Sequence, residues 1–357
     1  MEEHGADIYT ASEKSGIDKN YITDFSSNIN PLGIPESVKA AAINSIADSN
    51  KYPDINSREL VKSISAYENV DERSIFPSNG AAEAIFRIIY ALKPKKGLVT
   101  APAFSEYENA LRAFGSSVCY YDLKEELDFK IQENILDSIK EDVDIVFLCN
   151  PNNPTGQLTN KNLLEKIIEQ CYNNKITVVI DECFLDFVKN KEQYTTINLI
   201  EKYDNLIILK AFTKIFSIPG IRLGYCITSN RITIEKLKTT GPPWNVSNIA
   251  QAAGVAALKE IDYINKSIDY ISTQRNYLAQ ELYKLNIKTY TSHANYILLN
   301  INCSIDLKSA LLKKGILIRS CSNYKNLDEN FYRIAVKKSN ENQILIKTLE
   351  EIMELKE

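Results

Sequence analysis

Histidine is almost missing from this chain: His4 and His293 are the only two in 357 residues. That leaves no imidazole cluster to ligate a metal, and none is expected. The seven cysteines include no Cys-x-x-Cys spacing. Their odd number, and the lack of an apolar leader in the first thirty residues, point to reduced thiols and a cytoplasmic protein. No apolar run approaches the length needed to cross a bilayer. Positive charge is not in excess either: 42 Lys and Arg stand against 46 Asp and Glu, a net charge of −4. A basic stripe for nucleic acid is therefore excluded. Internal repeats and low-complexity linkers are absent. What remains is 44% hydrophobic and 25% charged, enough to bury a large core as two domains or one long α/β unit.

Apolar runs alternate with amphipathic stretches. Strands are expected at Gly97–Ala101, Val118–Asp122, Ile145–Cys149, Thr177–Asp181, Leu206–Leu209 and Gly224–Thr228. Helical patterns at Ser57–Tyr67, Ala82–Leu92, Glu106–Phe114 and Asn162–Asn173 precede or separate them. That order predicts an α/β fold, a mostly parallel sheet covered on both faces. The tail differs, with a long helical tract from Ala250 to Leu285 and then Tyr296–Ile301, Asp306–Lys314, Ile316–Arg319, Tyr332–Val336 and a helix from Asn340. It reads as a smaller α+β domain completed by the N-terminal arm. The expected division is residues 1–44 as arm and part of the small domain, 45–240 as large domain, and 241–357 as linking helix and small domain.

Chemistry concentrates at the ends of the strand candidates. Lys214 closes Lys210-Ala211-Phe212-Thr213-Lys214, and eight residues later Arg222 opens the next strand. An amine able to form an imine beside a fixed cation for phosphate is what pyridoxal phosphate requires. Asp181 ends the apolar run Thr177–Ile180, where a buried parallel strand delivers a carboxylate to the sheet edge able to keep a pyridinium nitrogen protonated. Asn153, in the turn Asn150–Gly156 after another apolar run, is placed to aim its amide at the ring's phenolic oxygen. Ser78-Asn79-Gly80-Ala81-Ala82 leads into a helix, and small residues there bare N–H groups where the dipole favours phosphate.

In this order along the chain, these residues resemble the fold-type I pyridoxal-phosphate enzymes of the aminotransferase class I/II superfamily, over nearly the whole length. The resemblance implies that Gly80, Ala81, Ala82, Thr213 and Arg222 hold the cofactor phosphate, Phe104 stacks on its ring, Asn153 contacts its oxygen, Asp181 pairs with its nitrogen and Lys214 binds it covalently. Tyr52, in Tyr52-Pro53-Asp54, matches the tyrosine that reaches a neighbouring subunit's cofactor phosphate, which implies a homodimer with a shared active site. The family's usual hydroxyl three residues before the lysine is replaced by Ala211, leaving Thr213 as substitute.

Other segments, His4-Gly5, Asp24–Gly33, Ile316–Tyr324 and Tyr332–Val336, resemble the threonine-phosphate decarboxylases, close relatives of the histidinol-phosphate aminotransferases. That likeness implies a substrate site of His4, Gly5, Asn28, Asn153, Arg319 and Arg333, although Ala6 stands where a second glycine is usual. Arginine suits a substrate bearing both carboxylate and phosphate, since its forked charge does not titrate away. Arg319 and Arg333 otherwise read as salt-bridged edge residues. Aminotransferases usually place tyrosine three residues after the ring-nitrogen aspartate, where this chain has Phe184. Phe184 points to decarboxylation, or else is simply core. The expected reaction converts L-threonine O-3-phosphate to 1-amino-2-propanol O-phosphate. Phosphoserine decarboxylation to ethanolamine phosphate and histidinol-phosphate-type transamination stay open. His293 reads as a loop residue, while Trp244 either lines the cleft or packs beneath it.

Overall fold

Val178, Val179 and Ile180 are branched at Cβ, which suits a strand covered on both sides, and Thr177–Asp181 is buried at every position but its first. In the computed structural model, which describes residues 5–302 and 305–354, this strand lies in the middle of a seven-stranded sheet. The order is Ile75–Ser78, Gly224–Ile227, Leu206–Ala211, Thr177–Asp181, Ile145–Cys149, Lys96–Ala101 and Ser117–Asp122. Gly224–Ile227 runs antiparallel to both neighbours, and the other pairs are parallel. The α/β sheet expected from the sequence is present with all six expected strands. The seventh, Ile75–Ser78, escapes a pattern search because it is four residues long and contains Pro77. A proline without an N–H is tolerated there because the strand is at the sheet's edge.

Side chains leave the strands alternately to two cores, as a period of two requires. Val146, Leu148, Val178 and Ile180 pack with Leu164, Ile167 and Ile168 of the helix Lys161–Asn173. Phe147, Val179 and Ile207 face Ile85, Ile88 and Ile89 of the helix Gly80–Leu92. The Asn160 side chain caps the first of these helices by accepting from Leu163 N, while left-handed Lys93 ends the second.

Two expectations for the tail need correction. The tract from Ala250 to Leu285 is two helices, Asn248–Ala257 and Ile261–Lys284. Apolar spacing continues across the break through Leu258, Ile261 and Ile264, so periodicity alone cannot reveal it. The run Ile316–Arg319 divides between two sheets. Ile316–Leu317 pairs in parallel with Thr23–Asp24 of the arm. Arg319–Ser320 instead edges a four-stranded antiparallel sheet with Phe331–Ala335, Tyr296–Asn300 and Lys288–Thr289. The arm is held further by Phe25, whose N–H donates to Leu317 O and whose carbonyl accepts from Ala335 N, both at 2.8 Å.

Candidate active site

Strand register gathers the residues singled out above. Ser78 and Ala211 both lie opposite Gly224, on its two sides. Two residues beyond Ser78 stands Gly80, two before Gly224 stands Arg222, and three after Ala211 stands Lys214. Asp181 is itself in register with Cys149 and Leu209, so Asn153 emerges beside it. Phe104 follows the strand Lys96–Ala101 at the same edge. These are the carboxyl ends of the parallel strands, where α/β sheets place their ligands. Gly224 must be glycine, since a Cβ there would meet Ala81 N at 2.7 Å and Lys210 O at 3.0 Å.

A cavity of about 250 Å³ occupies this edge, lined by Ala81, Ala82, Phe104, Asn153, Asp181, Thr213, Lys214 and Arg222 from the sheet side. Gly5, Asn28, Arg319 and Arg333 line it from the other. Gly80 sits behind Ala81 in the left-handed region, where a Cβ would approach Arg222 Nη2 to 2.6 Å. A larger groove of about 950 Å³, between Tyr67, Lys191 and Ile264, contains none of these residues.

At the floor, Asp181 is buried, with Oδ1 accepting from Cys183 N at 2.9 Å and Oδ2 from the Tyr107 hydroxyl at 2.6 Å. Burial raises its pKa against these two donors. Lys214 is pulled down to about 8, first by burial, then by the charges of Arg333 and Arg222, while Cys183 and Asp181 oppose. At pH 7 about a tenth of this lysine is therefore the nucleophilic free amine, far more than for an ordinary lysine. Its Nζ is 5.8 Å from the centre of the Phe184 ring. Phe184 both lines the cavity and packs edge-on against Tyr296. The turn Phe212–Ile215 is fastened by Asn30, whose N–H donates to Lys214 O and whose side chain donates to Ile215 O and Ser267 Oγ.

On the opposite wall, Arg319 and Arg333 are direct partners across neighbouring strands. Each is only 6% exposed. Arg333 donates to Asn153 Oδ1 and, at 2.9 Å, to Ser26 O, while its Nε is buried without a partner. Arg319 donates to Asn323 Oδ1 at 2.7 Å and lies 5.4 Å from the Tyr324 ring centre. Neither forms a salt bridge to a described acidic residue, which removes the reading of salt-bridged edge residues. Asn28 is buried, with Oδ1 unpartnered. Gly5 packs so closely over Ser26 that a Cβ would stand 2.4 Å from its carbonyl oxygen. His4 lies outside the described residues.

Tyr52 and Trp244 are not in this cavity. They stack on each other, ring centres 4.6 Å apart, and are 79% and 42% exposed. Trp244 thus follows neither placement open to it from sequence. His293 is in a loop, its N–H bonded to Gly156 O at 2.9 Å. Sequence reasoning missed Tyr107, Asn30 and Ser26. Ser26 and Asn30 lie inside the segment Asp24–Gly33 that carried the resemblance, while the partner of Tyr107, 74 residues away, left no local signal.

The family model for aminotransferase class I and II matches residues 20–349. The chain belongs to this family. Pyridoxal phosphate is its cofactor, and the Gly80–Arg222 contact, with no room for a Cβ, is a cradle suited to the phosphate. The chain is 34% identical over 352 residues to threonine-phosphate decarboxylase of Salmonella typhimurium, covering 98% of this chain and 96% of that one. It is also 35% identical to a bifunctional protein of adenosylcobalamin biosynthesis from Leptospira interrogans, covering 97% of this chain and 40% of that longer one. Among solved structures, histidinol-phosphate aminotransferase of Clostridium acetobutylicum superposes with a TM-score of 0.87 at 35% identity, over 92% of this chain and 98% of the other. Among the described residues, no helix is long and apolar enough to cross a membrane.

Proposed function

We propose that this chain decarboxylates L-threonine O-3-phosphate, giving (R)-1-amino-2-propanol O-2-phosphate, the linker of the cobalamin nucleotide loop. The carrying observation is the pair Arg319 and Arg333, in direct register on adjacent strands and without an acidic partner among the described residues. Like charges directly opposite each other are unfavourable in a sheet, and a ligand with two anionic groups offsets that repulsion. A phosphorylated amino acid has both. The kinship with the Salmonella and Leptospira proteins supports the same reading.

Gly80, Ala81, Ala82, Thr213 and Arg222 would hold the cofactor phosphate, Phe104 its ring, Asn153 its oxygen, Asp181 its nitrogen and Lys214 its aldehyde carbon. When bound, pyridoxal phosphate supplies a sink for the electron pair released at the substrate's Cα. Lys214, with its pKa lowered to about 8, would be the amine that holds the cofactor and the base able to carry a proton at the substrate's Cα. Arg319, Arg333, His4, Gly5 and Asn28 grip the substrate's anions and fix rotation about its Cα, which decides whether carboxylate or hydrogen is lost. Phe184 brings no hydroxyl to the site. The exposed Tyr52–Trp244 pair, away from its own chain's cavity, supports a homodimer in which Tyr52 completes the neighbouring site.

Incubation with phosphothreonine, scored for carbon dioxide against glutamate formed from added 2-oxoglutarate, tests this reading. Carbon dioxide without amino transfer is expected. Glutamate formation would instead assign the chain to transamination of the histidinol-phosphate type, the reading favoured by its Clostridium structural relative. Phosphoserine, lacking one methyl, is expected to react more weakly by a margin of about 1–3 kcal/mol.

A further inference from the structure

Tyr107 is the one fully enclosed phenol that touches the acidic group of the cofactor floor. Its hydroxyl has a single proton, given to Asp181 Oδ2 at 2.6 Å, while Oδ1 takes the Cys183 N–H. With both oxygens engaged, the carboxylate cannot turn about Cβ–Cγ without breaking a charge-assisted hydrogen bond. The phenol is itself immobile. Its ring lies nearly parallel to Phe147, centres 5.1 Å apart and planes 14° apart, and meets Phe104 edge-on at 5.6 Å. One short stretch, Phe104 to Tyr107, thus supplies both an aromatic wall of the cavity and the group that fixes the floor.

We propose that Tyr107 is a positioning residue for this enzyme: its phenol holds the Asp181 carboxylate in place and, by donating to it, favours its ionised form, so that the proton between Asp181 and the cofactor's ring nitrogen would rest on the nitrogen. This rests on pyridoxal phosphate being the cofactor and on Asp181 facing its ring nitrogen. Burial favours the protonated acid at position 181, and the Tyr107 and Cys183 donors work against it. The other ionisable groups around Asp181 are Cys149 on the adjacent strand, Glu182 and Cys183 on its own segment, Lys214 and Tyr296. The Cys183 thiol also bonds the carboxylate, and Tyr107 is the one hydroxyl that donates to it among the described residues. A carboxylic acid that kept its proton would leave the ring nitrogen neutral and the electron sink weak.

Tyr107→Phe deletes the hydroxyl and keeps the ring. In the apoprotein, the Asp181 carboxyl band, isolated by subtracting the infrared spectrum of Asp181→Asn, is expected to titrate about one pH unit higher in the variant. In the holoenzyme, the nitrogen-15 resonance of ring-labelled cofactor is expected to move toward the deprotonated position. The same variant should lower kcat about ten- to a hundredfold, about 1.4–2.7 kcal/mol, with KM changed less than about threefold. Introduced into Asp181→Asn, it should lower kcat no further, since the two residues act as one unit. Phe147→Leu loosens the packing beneath the ring, keeps the hydroxyl, and should leave the resonance in place.

An unmoved Asp181 band, an unmoved nitrogen-15 signal, an equal shift in Phe147→Leu or additive losses with Asp181→Asn would each overturn the proposal. Wild-type protein that takes up no cofactor overturns the cofactor reading and the ring-nitrogen half with it, whereas the apoprotein band still decides whether Tyr107 controls Asp181.

Discussion

At the floor of the cleft, Asp181 has a hydrogen bond on each oxygen and Asn30 clamps the lysine turn. At the rim, Arg333 Nε and Asn28 Oδ1 are buried with no partner, and Arg319 and Arg333 lie in direct register with no salt bridge to a described acid. Buried polar groups are normally paired, so groups left unpaired mark where a ligand supplies the missing bonds. The floor is complete before substrate arrives. The rim is complete only with it, and it is assembled from segments some three hundred residues apart, as the Ser26–Arg333 bond shows. Orientation of the reactive group is thereby separated from choice of substrate.

The sharpest way to break this division is at the floor. Lys214→Ala should cut turnover by more than about a thousandfold and abolish the absorbance of the lysine-bound cofactor, and persistence of that band would remove the lysine from its role. Arg333→Ala tests the rim. It leaves Asn153 Oδ1 and Ser26 O without their donor, and kcat/KM should fall about a hundred- to a thousandfold, in line with about 3–4 kcal/mol for truncating a buried charge. The bound-cofactor spectrum should stay intact, and steady-state kinetics beside an absorbance scan reads both.

Gly80→Ala lies between the two regions. The new Cβ meets Arg222 at a positive φ, a strain of about 1–2 kcal/mol, so cofactor dissociation measured by equilibrium dialysis should increase about five- to thirtyfold. The floor has its own pH signature. A Lys214 pKa depressed to about 8 means that the neutral amine accumulates as pH rises to that value. Cofactor uptake by apoprotein, followed by stopped-flow absorbance, should quicken roughly fivefold from pH 7 to 8 and level off above 9. The smallest effect is expected outside both regions: His293→Ala should alter kcat/KM less than about twofold and stability by less than about 0.5 kcal/mol.

The floor was legible in the sequence because its residues sit at the ends of apolar strands, and a strand end fixes where the next side chain goes. Asp181, Asn153 and Lys214 could be placed from that alone. Tyr107 could not, because its partner is 74 residues away and only packing brings them together. The rim was legible only through likeness, since nothing local in Ile316–Arg319 tells that Ile318 divides two sheets, or that Arg319 will face Arg333. Pro77 hid an edge strand, and unbroken apolar spacing hid the interruption between the helices Asn248–Ala257 and Ile261–Lys284.

The facing of Arg319 and Arg333 has a cost in the crowded cell. With the proposed substrate, a wall that concentrates positive charge for a phosphate ester also attracts free orthophosphate and sulfate. Those ions are expected to compete, and the working rate to follow the balance between substrate and the common anion pool.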